Sequence, residues 1–254
     1  MLYMVMHKAD EQSEAGEKPS PELVMRVGEM VGELARSGAL IAGEGLGPSA
    51  EGARVRLKGG HASISRGPFT GDALPARYAI FRAADVGEAA DVSARFGRVF
   101  GDVVVDVRHV NEAWDLGFGE KPEGLATRRY MAVANADAAS EAGTALGAGQ
   151  EAALAAFADD LRKSNAYIEI GTLEPSAKGR RIHPRGASGA GVPGAKPVVL
   201  DGPFTETKEL IGGFVLVDVP TIDDAVKIAL DYAEAVPVVE MDVRGVAKRL
   251  VAGT

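Results

Sequence analysis

Leu46-Gly47-Pro48-Ser49-Ala50 returns 127 positions later as Leu173-Glu174-Pro175-Ser176-Ala177, and this echo decides how the chain is divided. At the same offset Tyr3-Met4 recurs as Tyr130-Met131, and Gly52-Ala53-Arg54 as Gly179-Arg180-Arg181. Gly67-Pro68-Phe69-Thr70 comes back as Gly202-Pro203-Phe204-Thr205 after 135 positions, and Asp106-Val107-Arg108 as Asp242-Val243-Arg244 after 136. A near-constant offset broken by two insertions marks a duplicated unit. The expected organisation is a first module over residues 1–110, a connector over 111–127 that carries Trp114, and a second module over 128–254.

Within each module the local signals follow one order. A short apolar strand opens it, Leu2–Met6 or Tyr130–Ala134. In the first copy Ser20 can cap a helix, Pro21 suits its first turn and Gly38 stops it; Leu23, Val27, Met30, Val31 and Leu34 recur at helical spacing between them. The second copy places Leu154, Phe157 and Leu161 on one face of a helix over 150–164. A strand (39–46 or 166–173), a two-stranded arm and a Gly-Pro-Phe turn come next. They lead to another strand, 76–82 or 212–218. Capping pairs Asp85/Glu88 and Thr221/Asp224 then open a second helix, and a Val-rich strand closes each module. Strand, helix, strand pair, strand, helix, strand is a ferredoxin-like α+β order with an added hairpin arm. Several strands are apolar on both sides, so the sheet face without helices also needs a cover, and a second module in the same chain offers one. The expectation is a covalent pseudo-dimer with two antiparallel sheets packed face to face.

The bulk properties set limits. The 254 residues are 46% hydrophobic and 25% charged, with a net charge of −8, so a basic nucleic-acid surface is not expected. No run approaches the roughly 18 apolar residues of a membrane span, and no basic leader precedes the opening strand, so a cytoplasmic location without membrane contact is expected. The absence of cysteine excludes thiolate catalysis and cysteine-bound zinc. Four scattered histidines show no metal-ligand spacing, and neither metal nor cofactor is expected. The stretch 189–196 has phosphate-loop glycine spacing but puts Ala195 where lysine is required. Gly43-Glu44-Gly45-Leu46-Gly47 lacks the third glycine of a dinucleotide loop.

The opening Tyr-Met strand, Ala42-Gly43-Glu44-Gly45-Leu46-Gly47-Pro48-Ser49, and Asp201-Gly202-Pro203-Phe204-Thr205-Glu206-Thr207-Lys208-Glu209 followed by Leu210-Ile211-Gly212-Gly213-Phe214 together resemble the YCII-related family, in its DGPF-domain branch. The resemblance spans both halves and omits the connector. It implies a dimeric α/β barrel of ferredoxin-like modules, here within one chain. It also implies a small and often aromatic substrate handled by a His–Asp pair in some relatives, and for DGPF-type proteins an association with alternative sigma-factor systems. The chain departs from the pattern in a regular way. Neither first helix carries a histidine, Arg66 stands at the first copy's Asp position, Gly171 aligns with Glu44, and Ala134 aligns with His7.

The candidate residues are therefore divided between the halves. Asp201 is read either as a general base in a partly desolvated cleft or as the residue that fixes its own turn. Glu206 and Lys208 are ligand contacts or an exposed ion pair. Glu44, between two glycines, lies where backbone can approach a ligand or where a strand bends. His7 is a second acid–base candidate or an ordinary strand-end histidine. Arg181, within the basic run Lys178–Arg185, suits a carboxylate or phosphate, or guards an edge strand. The leading expectation is a small-molecule-binding protein with weak acid–base activity at a cleft between modules. The alternative is a non-catalytic regulatory or interaction protein. A further homodimer beyond the pseudo-dimer is left open.

Overall fold

The computed structural model describes residues 1–71, 73–186, 196–204 and 209–252. Twelve strands and six helices are set down in the order β1 (Leu2–Lys8), α1 (Glu11–Glu14), α2 (Pro21–Arg36), β2 (Leu40–Gly45), β3 (Ala53–Lys58), β4 (His61–Arg66), β5 (Pro75–Ala83), α3 (Val86–Arg98) and β6 (Val103–His109). The second half continues with β7 (Arg128–Asn135), α4 (Ala138–Glu141), α5 (Ala148–Lys163), β8 (Tyr167–Leu173), β9 (Arg180–His183), β10 (Val198–Asp201), β11 (Ile211–Asp218), α6 (Ile222–Ala235) and β12 (Met241–Val251). The fold is α+β with antiparallel strand pairing.

Local chemistry sets the helix ends. Ser20 Oγ accepts the Leu23 N–H at 3.2 Å, and Gly38 takes φ +76° just past the helix, a conformation open to glycine at no steric cost. Asp85 caps α3 through the Gly87 and Glu88 amides, and Thr221 caps α6 through Asp224. Two four-residue helices extend the repeat. Asp10 and Ser13 form a capping box at α1, and Asp137 and Ser140 form its copy at α4.

The chain divides into two compact units, and these cut across the sequence repeat. Unit 1 holds Met1–Gly45 and Glu174–Val246; unit 2 holds Leu46–Leu173 and Ala247–Thr254. Within unit 1 the strands run β2-β11-β1-β12-β9-β10. Within unit 2 they run β8-β5-β7-β6-β3-β4. Matched strand by strand through the repeat offset, the two orders are identical. Each unit takes its opening strand, first helix and second strand from one copy, and the arm, later strands and second helix from the other. The modules expected at 1–110 and 128–254 describe the repeat, not the units in which contacts concentrate.

Each unit buries a helix-facing core. Tyr3, Val5, Val215, Val217, Met241 and Val243 meet Ala225, Ala229 and Tyr232 of α6 in unit 1. Phe81, Val105, Val107 and Ala132 meet Phe96 of α3 and Leu154, Phe157 and Leu161 of α5 in unit 2. Strand alternation turns Met4, Met6, Phe214 and Leu216 to the opposite sheet face in unit 1, and Tyr78, Ile80 and Met131 in unit 2, and these are buried as well.

Candidate functional site

The Gly-Pro-Phe turn builds the same clamp in both units. Gly67-Pro68 and Gly202-Pro203 are cis peptides. Phe69 N–H donates to Ser49 Oγ at 3.3 Å, and Phe204 N–H to Ser176 Oγ at 3.2 Å. The serines of the Pro-Ser echo therefore hold the turns, and glycine precedes each proline because a Cβ there would lie 1.7 or 1.8 Å from a serine carbonyl oxygen. Each phenylalanine ring lies under a guanidinium, with Arg54 4.8 Å from the Phe69 centroid and Arg181 4.8 Å from the Phe204 centroid. Each arginine forks onto a carboxylate. Arg54 reaches Asp106 at 2.6 and 2.7 Å, and Arg181 reaches Asp242 at 2.7 and 2.9 Å. Unit 1 adds Lys8, whose Nζ donates to Asp242 at 2.9 Å with both side chains buried. Burial by itself would raise the Asp242 pKa, but Lys8 and Arg181 together hold it below the usual carboxylate range. Arg181 is thus committed to Asp242 and Phe204 as the anchor of the turn.

The units differ at the end of the sheet. In unit 1 the register sets His7 opposite Gly213. The imidazole stacks on Tyr232 with centroids 5.4 Å apart, and its Nδ1 lies 3.2 Å from the Tyr232 hydroxyl oxygen in a hydrogen bond. A Cβ on Gly213 would come within 2.6 Å of the ring and 2.5 Å of the Glu44 carbonyl oxygen, and one on Gly212 within 3.0 Å of the ring, so the glycine pair makes the seat. Burial pushes the Tyr232 phenol above its ordinary pKa, and it keeps its proton at neutral pH. In unit 2 Ala134 stands in place of His7 and faces Arg77, the counterpart of Gly213. Arg77 is buried, lies 4.5 Å from the Phe100 centroid and pairs with Asp137 at 3.4 Å.

On the other face of unit 2, Tyr78 donates to Glu169 Oε1 at 2.5 Å, and Arg249 donates to Glu169 Oε2 at 2.8 Å. Burial and the neighbouring Glu169 charge raise the Tyr78 pKa well above the ordinary phenol value. Gly171 makes the space, since a Cβ there would stand 2.2 Å from the Tyr78 ring. The glycine at Glu44's counterpart thus accommodates a tyrosine that the other unit replaces with Phe214.

The residues singled out from sequence do not gather in one place. Asp201 ends β10 with its side chain 80% exposed, and it pairs with Arg180 at 3.0 Å. Its carboxylate is exposed, and Ser176 holds the following turn through the Phe204 amide. Glu44 pairs with Phe214, one residue out of step with His7 and Gly213, so the two side chains point to opposite faces of the sheet. Glu206 and Lys208 lie outside the described residues. Tyr232 and Lys8 escaped sequence reasoning. A tyrosine inside a helical apolar pattern reads as core, and a strand-end lysine reads as solvated. Among the described residues no group of three His, Asp or Glu gathers as metal ligands.

Residues 129–246 match the YCII-related domain. The match runs from β7 into β12 and so falls on the second sequence copy, whose strands are divided between the two compact units. A 71-residue stretch is 38% identical to an uncharacterised protein of Rhizobium meliloti (strain 1021), covering 28% of this chain and 56% of that protein. The chain thus spans about half the length of the curated relative it matches. No solved structure matches.

Proposed function

We propose that this chain is a small-molecule-binding protein of YCII/DGPF type in which His7 is the acid–base group. The proposal includes the finer fold reading of a tandem duplication whose ferredoxin-like modules have exchanged their opening strand-helix-strand pieces, a one-chain version of the dimeric α/β barrel. The shared strand order, the two clamps and the matching capping boxes at α1 and α4 support it. So does the second-strand, third-strand, first-strand, fourth-strand order in both units.

The observation that carries the functional reading is the His7–Tyr232 pair over Gly212-Gly213. A strand-end histidine that served only to fill space would need neither a buried phenol on Nδ1 nor two glycines beneath its ring. The hydrogen bond between Nδ1 and the Tyr232 hydroxyl fixes the ring orientation, which is what general acid–base transfer requires. The second reading is a non-catalytic interaction protein. It is favoured by Asp201, whose carboxylate is exposed and ion-paired with Arg180.

A saturation-transfer NMR screen of small aromatic and polar acids separates the two, run on the wild type, His7→Gln, Tyr232→Phe and Asp201→Asn. The acid–base reading expects binding to weaken at least about tenfold in His7→Gln, or about 1.4 kcal/mol. Ligands that bind His7→Gln unchanged would sink it. So would a screen in which only Asp201→Asn alters binding.

A further inference from the structure

The two units are finished differently at one sheet edge. In unit 2, β8 lies next to the C-terminal part of β12, and Ala252 N–H donates to Ile168 O at 2.9 Å. Lys248 and Arg249 of that tail pair with Glu151 and Glu169. The counterpart of β8 is β2, which ends its strand order and pairs with β11 alone among the described residues. The counterpart of β12 is β6, which stops at His109 with no strand following until β7. Among the described residues only the Leu46–Val110 bridge follows β2 and β6 there, and no strand corresponds to the one that completes unit 2.

The helix beside this edge is under-covered too. α2 packs against α6 and β2, yet none of its sixteen residues is buried, and Met25 is 59% exposed. Its counterpart α5 buries Leu154, Phe157, Ala158 and Leu161. On β2, Ile41 is 39% exposed. Open edges are normally guarded by lysine, proline or a cover. The sequence Leu40-Ile41-Ala42-Gly43-Glu44-Gly45 has neither lysine nor proline, and Glu44 is its one charged residue.

We infer that a second copy of this chain covers the edge, its β2 pairing antiparallel with this one about a two-fold axis near Gly43 and the two α2 helices side by side. The backbone groups of β2 that unit 2 satisfies with a strand would then be satisfied by a strand here. There is room for close approach. A Cβ on Gly28 would meet nothing within 4 Å, and one on Gly43 nothing nearer than the Phe214 carbonyl oxygen at 4.0 Å. The charges suit an antiparallel self-pairing. Such an arrangement sets Arg26 opposite Glu33 of the second copy, and repeats the pair across the axis. Neither residue has an ion-pair partner in its own chain among the described residues. Like surfaces meeting about a two-fold axis close the assembly at a dimer.

Sedimentation velocity across a concentration series tests this on the full chain. The expected result is a monomer–dimer equilibrium whose dissociation constant rises at least about tenfold, or about 1.4 kcal/mol, in Ile41→Lys and in Gly43→Lys, where like charges face each other across the axis. Because the chain has no cysteine, Gly43→Cys adds an independent reading. It should form a disulfide-linked dimer under mild oxidation, while Ile64→Cys on the exposed β4 should not. A wild type that stays monomeric throughout overturns the inference, as does a dimer that both lysine variants leave intact. If the lysine variants fail to fold by circular dichroism, the Gly43→Cys cross-link decides, and its absence is equally fatal.

Discussion

Units 1 and 2 keep one clamp and part company at the sheet end. The Ser–Phe turn, the Arg–Asp fork and the arginine-over-phenylalanine contact recur almost atom for atom at Arg54, Phe69 and Asp106 and at Arg181, Phe204 and Asp242. A short strand away, one unit has an imidazole on a tyrosine and the other a guanidinium on a phenylalanine. What the units share is what the fold needs to anchor the arm. What they do not share is released from that duty, which is why the candidate chemistry is placed at His7 and not at the Gly-Pro-Phe turn that carries the family resemblance. The order of the six matched strands is the same in both units, so the difference at His7 and Arg77 lies in side chains, apart from the added strand beside β8.

The largest effect should come from breaking the clamp in the unit where it carries an extra charge. Asp242→Asn leaves the buried Lys8 and Arg181 with only the longer contacts to Glu240, at 3.8 and 3.3 Å, and should cost about 3 kcal/mol in chemical denaturation. Asp106→Asn should cost less, and equal losses would mean that Lys8 adds nothing. The same carboxylate sets the acid limb of stability. Its pKa is depressed in the folded state, so its contribution is fully present above the ordinary value of about 3.9 and is lost as pH falls through the lower folded value. Unfolding free energy followed through acid should therefore be flatter in Asp242→Asn than in the wild type. Next in size is Gly213→Ala, which drives a methyl into His7 and the Glu44 carbonyl and should cost about 1–3 kcal/mol. Adding His7→Ala, the residue of the other unit, should recover only the part due to the ring. The smallest change is Tyr232→Phe, which makes unit 1 resemble unit 2, where Phe96 holds the matching position. It should cost about 1 kcal/mol and should shift the His7 ring nitrogens in ¹⁵N-detected titration. An unshifted titration would mean that Tyr232 does not orient His7.

Much of this was readable from residues alone. Ser20, Gly38, Asp85 and Thr221 act as helix punctuation because capping is decided within one turn of chain. The short helices α1 and α4 were missed, although Asp10/Ser13 and Asp137/Ser140 repeat at the common offset, because four residues are too few to show a helical period. The closing strand of the second copy runs over Met241–Val251, far beyond the valine-rich stretch that signals it. Its charged second half, Lys248 and Arg249, reads as solvated until Glu151 and Glu169 are brought to meet it. His7 was named, but its partner lies 225 residues away, and nothing in the spacing connects them.

The sequence by itself determined the residue echoes, the order of the longer helices and strands, and the Pro-Ser and Gly-Pro-Phe turn residues, because caps, turns and alternation act over a few neighbouring positions. Only the tertiary structure decided which copy supplies each strand of a unit and which polar groups meet. Two copies with the same pattern of apolar faces can pair with themselves or exchange pieces at equal local cost. The choice falls to contacts between residues distant along the chain.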